Sequence, residues 1–207
     1  MATFDDRAVG WDTPERVERA EAVADAFVAA VPIARGSRVI ELGAGTGLLG
    51  LAIRRRVGPG RLAELLLTDT STGMLEVAET KIREGSLAGV RTARFDVAID
   101  PPPDGAPFDI AVSLLLLHHV EDTRGALAGV ARLLRPGGRM ALSDLDTEDG
   151  TFHTAEAEGI HHLGFDRDVL RSLAEGAGFE DVRLSTAGEM EREGRRYPLF
   201  LLVGRRP

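Results

Sequence analysis

Val39-Ile40-Glu41-Leu42-Gly43-Ala44-Gly45-Thr46-Gly47 joins a short apolar run to three glycines spaced two apart. Valine, isoleucine and leucine in such a run read as a strand buried on both faces. The glycines read as a sharp turn in which the main chain can approach a ligand closely. A helical pattern follows over 48–56 and stops at Gly58-Pro59-Gly60. Strand, glycine turn and helix in that order form the unit of an open α/β sheet. Such sheets bind ligands outside the carboxyl ends of their strands.

Working outward, the unit repeats. A first helix is capped by Asp12 or Thr13, takes Pro14 in its first turn, and ends at Pro32 and Gly36. Its apolar face is Val17, Ala20, Ala24, Phe27, Val28 and Val31. Further strands are expected over 62–68, 90–95, 108–113 and 139–143, with helices over 72–83 and 123–134. A polar loop spans about 145–164. Asp166 then caps a helix carrying Val169, Leu170 and Leu173. The last strands, 179–184 and 198–203, are separated only by a charged loop over 189–196. The pattern predicts a doubly wound, mainly parallel seven-stranded α/β sheet with a C-terminal antiparallel hairpin at one edge. No composition break divides the chain. A single domain over 1–207 is expected, with an N-terminal helical cap over 1–35 and a substrate-side loop over 145–165.

Composition narrows the function. The 207 residues carry 33 Asp plus Glu against 25 Lys plus Arg, a net charge of −8. An acidic surface repels phosphate, so nucleic acid and anionic membranes are poor partners. There is no cysteine, which removes disulfides, thiol nucleophiles and thiolate-bound metal. Met1 to Arg7 holds no apolar run, and the most apolar stretch, 110–117, is too short to span a bilayer. A soluble, cytoplasmic protein is expected.

Gly45-Thr46-Gly47-Leu48-Leu49-Gly50 formally matches a dinucleotide fingerprint, and Asp69 follows at about the ~20-residue spacing of a ribose-binding acid. Yet the turn begins with an acid, Glu41. A carboxylate there opposes a pyrophosphate and suits a cation. Asp96 follows the third strand, so three acids end three successive strands on one edge.

These features, with the rest of the chain, resemble the class I S-adenosylmethionine-dependent methyltransferases, in particular the small type 11 methyltransferase-domain group. The resembling stretches are Val39 to Gly47, Asp69-Thr70-Ser71-Thr72-Gly73-Met74-Leu75 and Phe95-Asp96-Val97. They continue with Phe108-Asp109 through Leu117-His118-His119-Val120, Leu134-Arg135-Pro136-Gly137-Gly138 and Ala177-Gly178-Phe179. They cover about 37–185 in order. The resemblance implies S-adenosylmethionine as cofactor and S-adenosylhomocysteine as product. Glu41 would hold the amino end, with Gly43, Ala44, Gly45 and Gly47 packed against the methionine part. Asp69 would meet the ribose hydroxyls, and Thr70, Ser71 and Met74 would lie by the adenine. Asp96 would take the adenine amino group beside Val97, and Ser113 and Leu114 would floor the site.

Two other readings stand beside it. A nicotinamide-dinucleotide oxidoreductase of the short-chain kind pairs a tyrosine with a lysine four residues later. Here the only lysine is Lys81 and the only tyrosine Tyr197, in the wrong order. A non-catalytic nucleotide-binding module would lack a substrate pocket, which the long loop over 145–165 suggests.

The acceptor side is less patterned. A small-molecule acceptor is expected, with the protein a monomer or homodimer. The five histidines cluster: His118 and His119 after the fourth strand, His153, His161 and His162 in or beside the loop after the fifth. His119 and His153 are candidate proton acceptors, and Trp11, His118, His153, His161 and His162 candidate substrate contacts. Alternatively, His118 and His119 orient their loop, and Trp11 packs the first helix on the sheet. No metal is expected, since the loop acids, Glu156 and Glu158 among them, lack a helix-borne His-x-x-x-His partner. Asp100-Pro101-Pro102 precedes the fourth strand and is followed by Pro103, not an aromatic residue. That argues against methylation of nucleic-acid amino groups.

Overall fold

The computed structural model describes residues 3–153 and 159–207. Seven strands form one sheet: β1 (Ser37–Leu42), β2 (Leu62–Asp69), β3 (Val90–Arg94), β4 (Phe108–Leu114), β5 (Leu134–Leu145), β6 (Glu180–Arg192) and β7 (Arg195–Arg205). Their order is β3-β2-β1-β4-β5-β7-β6. The first five run parallel; β7 lies antiparallel between β5 and β6. Among the described residues six α-helices accompany them: α1 (Phe4–Arg7), α2 (Pro14–Ala30), α3 (Leu48–Val57), α4 (Thr72–Glu84), α5 (Thr123–Leu133) and α6 (Arg167–Gly176). The doubly wound fold is as the sequence predicts.

Both faces of the sheet are covered, which is why its strands read as continuous apolar runs. Val39, Leu65, Leu67 and Ile110 pack with Phe27 of α2 and Leu49 and Ile53 of α3. Ile40, Leu42, Leu66 and Ala111 pack with Leu127 and Val130 of α5 and Leu170 of α6. Each of these side chains larger than alanine contributes about 1.5–3 kcal/mol on burial. The winding changes direction between β1 and β4, so their carboxyl ends flank a crevice, the usual ligand position in such sheets.

Four local expectations are corrected. The charged segment over 189–196 is mostly strand: Glu189 pairs with Pro198, Met190 with Tyr197 and Glu191 with Arg196. Only Glu193 and Gly194 turn the chain, with φ of +50° and +73°, as a tight two-residue hairpin requires. Charge on the exposed face of an edge strand hid the alternation. Next, β5 begins at Leu134, which pairs with Phe108 before the register shifts across Pro136-Gly137-Gly138. A short α1 precedes the expected first helix. Finally, Thr13 occupies the N-cap of α2 without a side-chain bond, and Asp12 turns elsewhere. Among the described residues no helix is long and apolar enough to cross a membrane.

The backbone carbonyl of Val97 crosses α5 at Gly129, where a Cβ would stand 2.2 Å from that oxygen. Gly129→Ala would gain about 1 kcal/mol of helix propensity. Displacing a packed backbone costs more, so a net loss of about 1–3 kcal/mol is expected. Calorimetry should show melting lowered by roughly 2–4 °C per kcal/mol. An unchanged or raised melting temperature would refute the close contact.

Candidate active site

The turn after β1 is built from backbone that other residues enter with strain. Gly43 and Gly45 have φ of +62° and +54°, and a Cβ on Gly43 would meet Leu116 at 2.8 Å. The turn is anchored from both sides. Ala44 N–H donates to Thr68 O (2.8 Å), and Gly45 N–H donates to Asp69 Oδ2 (2.7 Å). Gly47 sits at the N-cap of α3.

The three strand-end acids are not equivalent. Glu41 is 2% exposed and faces α3, where its Oε2 accepts the Gly50 N–H at 2.9 Å. Burial pushes its carboxyl up to about 8, against the Gly50 bond and with help from the charge of Asp69. Asp69 closes β2, and its second oxygen accepts Ser71 N–H at 2.9 Å. Burial raises its pKa as well. Asp96 accepts Ala98 N–H (2.8 Å) and its own N–H donates to Asp100; Val97 beside it is buried. Thr70 is exposed. Ser71 caps α4 by accepting from Met74 N–H. Met74 is buried, its sulfur 3.9 Å from where a Cβ on Gly45 would stand. Ser113 is buried and donates to Leu42 O at 2.9 Å, so its hydroxyl is committed within the sheet. Leu114 is half-buried at the end of β4. Leu115 follows with φ +59°, a strained conformation for leucine that no sequence pattern signals.

Across the crevice stand the histidines. His118 is buried, with Nδ1 2.7 Å from Asp144 Oδ1 and its N–H donating to Oδ2. Asp144, fully buried in β5, also accepts Leu145 N–H. The ring of His118 lies 4.1 Å from that of His119 and 5.1 Å from that of His153. His119 Nδ1 meets Gly159 O at 2.8 Å; burial foremost, and then His118, lower its pKa to about 4. Burial also lowers that of His153, whose Nε2 is buried with no partner among the described residues. His118, His119 and His153 therefore come together. His161 and His162 do not join them. His161 is exposed and contributes only its N–H to His118 O. His162 Nε2 meets Val120 O (2.9 Å) and Thr123 Oγ1 (3.2 Å), fastening the loop. Residues 154–158 of that loop, with Glu156 and Glu158, lie outside the described residues.

The N-terminal segment lies over the turn, not on the sheet. Trp11 Nε1 stands 3.7 Å from where a Cβ on Gly45 would be, and Phe4 packs edge-on against Trp11 and His119. Asp12, a candidate helix cap by sequence, accepts instead from Thr46 Oγ1 and pairs with Lys81. Two surface clefts, one around Arg38, Glu64 and Arg91 and one around Asp149 and Arg195, sit away from this turn. Both are walled by mutually paired ions.

A family model described as "Methyltransferase domain" matches residues 40–140. The ubiquinone/menaquinone biosynthesis C-methyltransferase UbiE of Azotobacter vinelandii is 30% identical over 176 residues, spanning 72% of this chain and 68% of that protein. The chain belongs to the class I S-adenosylmethionine-dependent methyltransferases. It is an enzyme of methyl transfer. The O-methyltransferase rstn1 of Aspergillus nomiae is 27% identical over 184 residues, 84% of this chain and 80% of that one. For the fold alone, the YcgJ protein of Bacillus subtilis superposes with a TM-score of 0.71 at 17% identity, covering 89% of this chain and 97% of that chain. A Haloferax volcanii chain solved in complex with the Trm112 methyltransferase activator gives 0.75 at 19%, covering 100% and 99%. The family model and the UbiE relative carry the class; the type 11 subgroup is a finer assignment.

The donor set fits the family's cofactor, which bears a sulfonium and an ammonium and no phosphate. Glu41 of β1 and Asp69 of β2 bond the turn and the helix it opens, Asp96 follows β3 on the same edge of the sheet, and the ammonium of Lys81 is already held by Thr46 O (2.8 Å) and Asp12.

The raised carboxyl of Glu41 links stability to pH. Its ordinary value is 4.5 and its folded value about 8, so folding holds the proton. Stability is full below about pH 4.5 and falls as pH rises toward 8, because the unfolded chain ionises first. Glu41→Gln keeps a neutral acceptor for Gly50. Urea unfolding at pH 5 and pH 8 should show a smaller pH loss for the variant than for the parent, by a few kcal/mol in order of magnitude. Equal losses would refute the assignment.

Proposed function

We propose that this methyltransferase moves the methyl group of S-adenosylmethionine to a small-molecule acceptor, within a single domain over residues 1–207. The observation that carries the reading is the arrangement of Glu41, Asp69 and Asp96 on one side of the glycine turn with three imidazoles on the other. Glu41 would face the amino end, directly or through water, and Asp69 the ribose. Asp96 and Val97 would take the adenine, with Thr70, Ser71 and Met74 beside it and Leu114 on the floor. When bound, the cofactor supplies a methyl group on a positively charged sulfur.

The residues of this chain position the acceptor in line with that group and take its proton. His119 is neutral at ordinary pH. With Nδ1 on a carbonyl, its Nε2 is left as an acceptor. His153 Nε2, buried and unpartnered, is a second candidate. His118 is held by Asp144 and braces both. The relatives named for O- and C-methyl transfer support a small acceptor, and the net charge of −8 disfavours nucleic acid. A cytoplasmic monomer or homodimer completes the reading.

Calorimetric titration with S-adenosylhomocysteine, with NAD as control, tests the cofactor. Binding of the first alone is expected; binding of NAD alone would overturn the reading. His153→Ala tests the base. Turnover should fall by about 10²–10⁴ with S-adenosylhomocysteine affinity unchanged. Unchanged turnover would remove His153 from the chemistry.

A further inference from the structure

The N-terminal segment is attached to the rest of the protein in an unusual way. Helix α1 buries no residue, and the 3-10 turn over Ala8–Gly10 buries only Ala8. Little apolar area therefore holds it, and segments of that kind open independently of the global fold. Beside the edge-on contact of Phe4 with His119, its polar attachments lie at two points. Asp5 accepts from Ser71 Oγ (2.5 Å) and from Gly73 N–H (2.7 Å) at the start of α4. Asp12 accepts from Thr46 Oγ1 in the glycine turn and pairs with Lys81 of α4. Between them Trp11 lies over Gly45, with the Arg16 guanidinium 3.9 Å above its ring.

Lys81 has a second bond that a simple surface ion pair lacks. Its Nζ donates to the carbonyl of Thr46 at 2.8 Å. One ammonium thus fixes both the turn and the segment that covers it. Lys81 and Asp12 are only 27% and 29% exposed, so solvent screens the pair less than an open one. Lys81 is also the chain's only lysine.

We propose that Lys81 and Asp12 are positioning residues that latch the N-terminal segment across the glycine turn and thereby set how fast the cofactor leaves. The inference rests on the cofactor reading above. Trp11 stands at contact distance from Gly45, on the approach to the turn, so entry or departure of a ligand there requires the segment to lift. Lifting it breaks the bonds of Asp12 to Thr46 and Lys81. The Thr46 carbonyl then keeps its lysine only while the turn holds its shape.

Trp11 is the only tryptophan and reports the latch directly. Dissociation of S-adenosylhomocysteine, chased with excess S-adenosylmethionine, would be followed by its fluorescence in stopped flow. Lys81→Met and Asp12→Asn should each speed dissociation about tenfold, equivalent to about 1.4 kcal/mol. Lys81→Arg, which keeps the charge, should stay near the parent rate. The double variant should be no faster than the faster single one, since the two residues act as a unit. Melting temperatures near the parent's would separate this from a loss of fold. Unchanged dissociation in both single variants, or fully additive effects, would overturn the latch. So would a Trp11 signal indifferent to S-adenosylhomocysteine that calorimetry shows to be bound. Failure of the parent to bind S-adenosylhomocysteine at all would strike the cofactor reading instead.

Discussion

One carboxylate holds the ligand-binding edge together. Asp69 ends β2 and accepts two main-chain N–H groups, one from Gly45 and one from Ser71. The first bond fixes the turn leaving β1; the second fixes the turn leaving β2. Both turns would otherwise carry unpaired donors in a half-buried place, at a cost of about 1–3 kcal/mol each. Because β1 and β2 are in parallel register through Leu42 and Thr68, locking these two exits also sets where α3 and α4 begin. Ser71 caps α4, and Asp5 reaches that cap from the N-terminal segment. The cover, the cap and the turn therefore share one carboxylate as their common point.

The same edge gathers carboxyl groups whose ionisation folding opposes. Burial raises the pKa of both Glu41 and Asp69, so each resists ionising in the folded chain. A cation arriving beside them would relieve that resistance. This is the physical sense in which perturbed acids mark a site. The histidine side shows the complementary pattern. Burial lowers the basicity of His119 and His153, keeping these imidazoles uncharged.

Most of the fold was legible because buried parallel strands write themselves as apolar runs, and glycine and proline punctuate them. β1, β2 and β4 fall within two residues of the expected spans. The edge hairpin was not legible to the same degree. Along β6 the exposed positions carry Glu189 and Glu191, and charge at alternate positions looks like a loop when the partner strand is unknown. The turn and its acids were legible from order and spacing. Asp144 was not: it lies just past the expected fifth strand, and only the tertiary fold places it against His118. Asp12 and Lys81 meet across 69 positions through side chains alone, and local patterns carry no trace of such contacts. The split among the histidines is likewise tertiary, since His161 and His162 are sequence neighbours facing different surroundings.

The sheet order β5-β7-β6 has a consequence for biosynthesis. β6 leaves the ribosome before β7, yet β7 is the only strand it pairs with, and β7 separates it from β5. The thirteen-residue β6 therefore joins the sheet only through its hairpin with β7, and its other side is an edge. Unpaired strands of that length recruit other chains. The charges on β6 that obscured it as a strand lie along the outer edge of the sheet, where charge disfavours pairing with another chain.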